Sequence, residues 1–196
     1  MKNILGEILS NLDDNSLEKI SHQVNAPPSQ AKTALASAIP ILMNALAKNS
    51  STSEGASALK NAIARDHDGS LLDHLGDFLN DPAAANGAGI LKHVLGNKRQ
   101  NVEKYISNDS GLNSSSVGKI LEMAAPIVMG YLGKSSRSRG SAVDNLLNSY
   151  LKTEQKQAPQ SQSVINQILD RDNDGNVMDD IAEMGMSFLG RMMKKR

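Results

Sequence analysis

Ala38-Ile39-Pro40-Ile41-Leu42-Met43 returns later in the chain as Ala124-Ala125-Pro126-Ile127-Val128-Met129. In the same register Ala31 pairs with Val117, Leu35 with Leu121, Leu46 with Leu132 and Lys48 with Lys134. The first copy opens at Pro27-Pro28-Ser29 and runs to about Lys48. Ala31, Leu35, Ala38, Ile39, Leu42 and Leu46 share one face at helical spacing. The small alanines on that face allow close packing. The interior proline removes a backbone hydrogen bond and predicts a kinked long helix.

Working outward, Ile4, Leu5, Ile8, Leu9 and Leu12 form one helical stripe that Asp13-Asp14-Asn15 breaks. Leu17, Ile20 and Val24 mark a second short helix, and residues 50–53 read as a polar loop. Helices near 56–64 and 70–80 flank Arg65-Asp66-His67-Asp68-Gly69. This turn also has a counterpart: Ile63-Ala64-Arg65-Asp66-His67-Asp68-Gly69 matches Leu169-Asp170-Arg171-Asp172-Asn173-Asp174-Gly175, and Leu95-Gly96 matches Leu5-Gly6. Three landmarks in the same order predict an internal duplication. The expected modules are 1–85 and 86–196, joined at the turn-rich stretch 80–89. The second carries an insertion, 152–162 (KTEQKQAPQSQ), read as a flexible linker because it has no large apolar residue. Strand-like alternation is nowhere sustained, so the predicted class is all-α.

Asn3-Ile4-Leu5-Gly6, Ile39-Pro40-Ile41-Leu42, Asp66-His67-Asp68-Gly69-Ser70 and the segment Gly87-Ala88-Gly89-Ile90-Leu91-Lys92-His93-Val94-Leu95-Gly96 together resemble the bacterial domain of unknown function 937. The resemblance covers most of the chain. It implies an all-helical bacterial protein and no particular activity, so it assigns no functional residue.

Composition narrows the classes. The 196 residues are enough for a substantial core, and 39 % hydrophobic with 21 % charged residues is ordinary for a folded domain. Lys plus Arg and Asp plus Glu both number 21, and aromatics are only 3 %, which disfavours a nucleic-acid binder. With no cysteine there is no disulfide, thiol nucleophile or thiolate metal site. The N-terminus is not expected to be a signal peptide, since Glu7, Asn11 and Asp13 interrupt its apolar patch. No window resembles a membrane span. The expectation is a soluble, cytoplasmic protein.

The candidate chemistry lies in the two Asp-Gly turns. Asp170, Asp172 and Asp174 at alternate positions before Gly175 resemble the first half of an EF-hand loop, which points to calcium. Ile181 stands where a closing Glu belongs, and Asp179 or Asp180, two and one positions earlier, completes the shell only with a distorted loop. The first turn is poorer, because Ala64 holds the first position and only Asp66, Asp68 and Asp73 remain. Helix capping explains the same residues: Ser70-Leu71-Leu72-Asp73 fits a capping box, and aspartates suit a helix N-terminus. Gly87-Ala88-Gly89 lacks the strand and the lysine of a phosphate loop and fits close backbone packing. His22, His67, His74 and His93 are scattered, with His67 and His74 the pair nearest in helical spacing. Residues 134–139 read as a loop with three basic charges. The C-terminal segment 181–196 reads as a methionine-rich helix with a basic end.

No catalytic set is recognisable, so the functional expectation is a non-enzymatic scaffold or interaction protein that self-associates as a homo-oligomer or binds another protein. The alternative is a calcium-responsive binding module. A hydrolytic enzyme would need a concave pocket with converging Asp and His side chains.

Overall fold

The computed structural model describes residues 4–170. Eleven α-helices are described: α1 Ile4–Asn11, α2 Asp14–Val24, α3 Pro28–Asn49, α4 Ser53–Asp66, α5 Ser70–Asp73, α6 Leu75–Asn80, α7 Gly87–Val94, α8 Arg99–Ser110, α9 Ser114–Arg139, α10 Val143–Gln157 and α11 Pro159–Asp170. Single 3₁₀ turns lie at Pro82–Ala85 and Gly96–Lys98. The fold is all-α, with no strand among the described residues.

Polar residues in the sequence punctuate these helices. Asp13, which breaks the first apolar stripe, accepts a hydrogen bond from the Ser16 amide at 2.7 Å and starts α2. Thr52 caps α4 by accepting from the Gly55 amide, and Asn113 caps α9 by accepting from the Ser116 amide at 2.9 Å. Each cap satisfies an amide that the first helical turn cannot. The order short helix, short helix, long helix with an interior proline occurs twice, as α1–α2–α3 and α7–α8–α9.

The two long helices lie against each other at the centre. Ala31, Ala34 and Ala38 on α3, with Ala124 and Ala125 on α9, are buried and let the backbones approach. α2, α8, α10 and α11 pack on α3, while α5, α7 and α8 pack on α9. Apolar side chains from Ile8 to Leu169 join in one buried cluster, so the two expected halves share a core. Among the described residues, no helix is long and apolar enough to cross a membrane.

Three local expectations are corrected. Residues 152–162 are not a loose linker: Lys152 to Gln157 continue α10, and Pro159 opens α11. Lys, Glu and Gln are good helix formers, and Pro is tolerated in a first turn. Leu147 and Tyr150 before them, and Ile165 and Ile168 after them, bury both helices against the core. Residues 134–139 are not a loop but the last turns of α9. The expected helix over 70–80 is two helices parted at His74, whose amide donates to the Leu71 carbonyl.

Candidate functional site

The first Asp-Gly turn sits on the surface of α9, and glycines on both sides set the distance. Gly69 has φ +99°, a conformation that side chains disfavour, and a Cβ there would stand 2.7 Å from the Lys134 Cβ. A Cβ on Gly133 would stand 2.1 Å from the His67 carbonyl oxygen. The turn therefore packs backbone to backbone. The same device recurs at the start of α7, where a Cβ on Gly87 would lie 1.9 Å from the Glu122 carbonyl oxygen. This is the close packing expected for Gly87-Ala88-Gly89.

The cap of α5 differs from the expected box. Ser70 does not supply it with its hydroxyl; the Asp68 carboxylate accepts from the Ser70 amide at 3.0 Å. Asp73 points instead to Lys134, at 2.6 Å. With Gly69 in the left-handed region, the preceding aspartate is the side chain that reaches the free amide.

Each candidate carboxylate within the described residues faces a basic side chain. Asp66 forms a fork with Arg65, with Nη2 to Oδ2 at 2.7 Å. Asp68 lies 3.4 Å from Arg137, and Asp170 pairs with Lys48. The amide of Ser70 holds the Asp68 carboxyl below its ordinary range, Lys134 does so for Asp73, and Arg65 does so for Asp66. These pairs are exposed and individually weak. No group of three or more His, Asp or Glu poised for a metal ion occurs among the described residues. Asp172, Asp174 and Asp179 lie outside the described residues.

The basic end of α9 is thus an ordered row. Lys134, Arg137 and Arg139 take Asp73, Asp68 and Glu7 in turn, and Tyr131 donates to the same Glu7 carboxylate. All three acids come from the first 73 residues. Linear order separates these partners by more than 60 positions, which hid the pairing from sequence reading.

The other side of the Asp-Gly turn opens into a cleft. Between α4 and α7 lies a cavity of about 600 Å³. Leu46 and Met129 form a buried floor, and Leu59, Ala62, Ile90 and Val94 form half-buried walls. Asn49 ties the end of α3 to α7 by donating to the His93 and Val94 carbonyls at 3.2 and 3.0 Å. Asp66, His67 and His93 also line the space. Burial holds the half-buried His67 imidazole below its ordinary value, against the smaller upward pull of Asp66. So the structure gathers His67 with His93 in one cleft, not with His74. No spacing rule brings residues of α4 and α7 together; only the packing of both beside α9 does.

No curated protein and no solved structure matches the chain. The family model described as "Bacterial protein of unknown function (DUF937)" matches residues 6–135, from α1 nearly to the end of α9, and the chain belongs to that family.

Proposed function

We propose that the protein acts by binding another polypeptide, that it is not an enzyme, and that its first partner is a second copy of itself. The observation that carries this reading is the α4–α7 cleft. A concave space of about 600 Å³ with an apolar body and a polar margin suits the apolar face of an amphipathic helix. Zero formal net charge adds no long-range repulsion between copies. A cytoplasmic location belongs to the same proposal, and a cysteine-free sequence is compatible with it.

Sedimentation equilibrium over a wide concentration range tests the reading. The wild type is expected to associate, and Leu59→Glu combined with Ile90→Glu is expected to leave a folded monomer. A wild type that stays monomeric throughout, or a variant that associates equally well, would sink self-association through this cleft.

A hydrolytic reading has one observation in its favour, Asp66, His67 and His93 on one cleft. Against it, both Asp66 oxygens are engaged by Arg65, so that carboxylate is not free to orient an imidazole. Cleavage of p-nitrophenyl acetate is expected to be equal in wild type and His67→Gln. A large loss of rate in the variant would revive the enzyme reading.

A further inference from the structure

The inner face of α10 carries two polar groups that the fold leaves unanswered. Tyr150 and Glu154, one turn apart, are 2 % and 7 % exposed. Neither the Tyr150 hydroxyl nor Glu154 Oε1 has a hydrogen-bond partner among the described residues. Buried polar atoms are nearly always satisfied, and a buried carboxylate without a counter-charge is especially costly. The lysines on the same helix, Lys152 and Lys156, are exposed. Burial, then the nearby Glu154, push the Tyr150 phenol above its ordinary value, so it stays neutral beside the carboxylate.

Glu154 borders a cavity of about 210 Å³ between α1, α3, α8, α10 and α11. Leu5, Ile41 and Ile165 make much of its wall apolar. The interior proline of α3 also reaches it: Pro40 has no N–H to offer the Ala36 carbonyl one turn back, and both residues line the cavity. The space is about seven times the share of one water molecule in the liquid, roughly 30 Å³.

We propose that this cavity is a binding site for a small organic ammonium ion, with the Glu154 carboxylate as its counter-charge. An ammonium group brings a positive charge and N–H donors to the Glu154 carboxylate, and its short hydrocarbon chain suits the apolar part of the wall. A hard metal ion would require six or more oxygen ligands, whereas this wall has one carboxylate among mainly apolar or neutral groups. The site is separate from the α4–α7 cleft and stands or falls independently of self-association.

The test uses the full chain and n-butylammonium chloride, followed by titration calorimetry and thermal unfolding. n-Butanol supplies the same hydrocarbon without the charge, and sodium, magnesium and calcium chlorides supply charge without the hydrocarbon. The expected result is saturable binding and a rise in Tm with butylammonium alone. Glu154→Gln, which keeps the volume and removes the charge, is expected to weaken binding at least tenfold. Ala158→Leu, which narrows the cavity with the carboxylate in place, is expected to do the same with the helical circular dichroism intact. The proposal is overturned by the absence of saturable binding, by an equal response to butanol or to an inorganic cation, or by wild-type affinity in either variant.

Discussion

The carbonyl oxygen of His67 lies where the first side-chain atom of any residue but glycine at position 133 would have to stand, 2.1 Å from it. The Asp-Gly turn is held to α9 by this contact of main chain with main chain, and its acids then fall within reach of Lys134 and Arg137.

Gly133→Ala therefore sets two opposed effects against each other. Alanine favours a helix interior by about 1 kcal/mol, but forcing atoms into a filled space costs about 1–3 kcal/mol. The obstacle is backbone and cannot rotate away, so the clash wins and urea unfolding should show a net loss of up to about 2 kcal/mol. Gly6→Ala is the control: it meets nothing within 4 Å and should be neutral or slightly stabilising. Equal stability of the two variants would contradict the packing described.

Ser116 tests the joint between α2 and α9. Its buried hydroxyl donates to the Val24 carbonyl at 2.9 Å, 92 residues away in sequence. Ser116→Ala leaves that acceptor without its partner and should cost about 1–2 kcal/mol in denaturant unfolding. An unchanged midpoint would mean that the bond contributes nothing.

Capping and cation binding at Asp68 make different predictions. As a cap, Asp68→Ala lowers Tm, and the gap from wild type is the same in EDTA and in millimolar calcium. A gap that opens only in calcium would instead make the first Asp-Gly turn a cation site.

His67 gives stability a pH dependence of defined sign. Its folded-state pKa lies below the ordinary 6.5 because burial favours the neutral ring. The stabilisation is fully present above 6.5 and is lost as pH falls through the lower folded value. His67→Gln should flatten that part of the curve. Asp13, Asp66, Asp68 and Asp73, whose pKa values are lowered from 3.8, act at more acid pH: their contributions hold above that value and fade below it. Identical wild-type and His67→Gln profiles between pH 7 and 5 would remove His67 from the account.

Much of the secondary structure was legible because its causes are local. The apolar spacing of Ala31, Leu35, Ala38 and Leu42 fixes a helix, and Asp13 ends one helix and starts another. Residues 152–162 are almost wholly helical although their polar composition suits a loop as well as a helix. The segment is helical because its neighbours Tyr150 and Ile165 are drawn into the core.

The all-α class, the long proline-bearing helices and the ends of the helices before residue 50 were determined by the sequence alone, since each depends on side-chain period and on caps within a few residues. Tertiary structure alone decided which acids meet Lys134, Arg137 and Arg139 at the end of α9 and what Gly69, Gly87 and Gly133 are for. It brought His67 and His93 into one cleft and left Glu154 Oε1 without a hydrogen-bond partner among the described residues, on a residue that lines the same cavity as Pro40. Those outcomes depend on distances between helices far apart in the chain, and such distances follow from how the whole core packs, not from any local pattern.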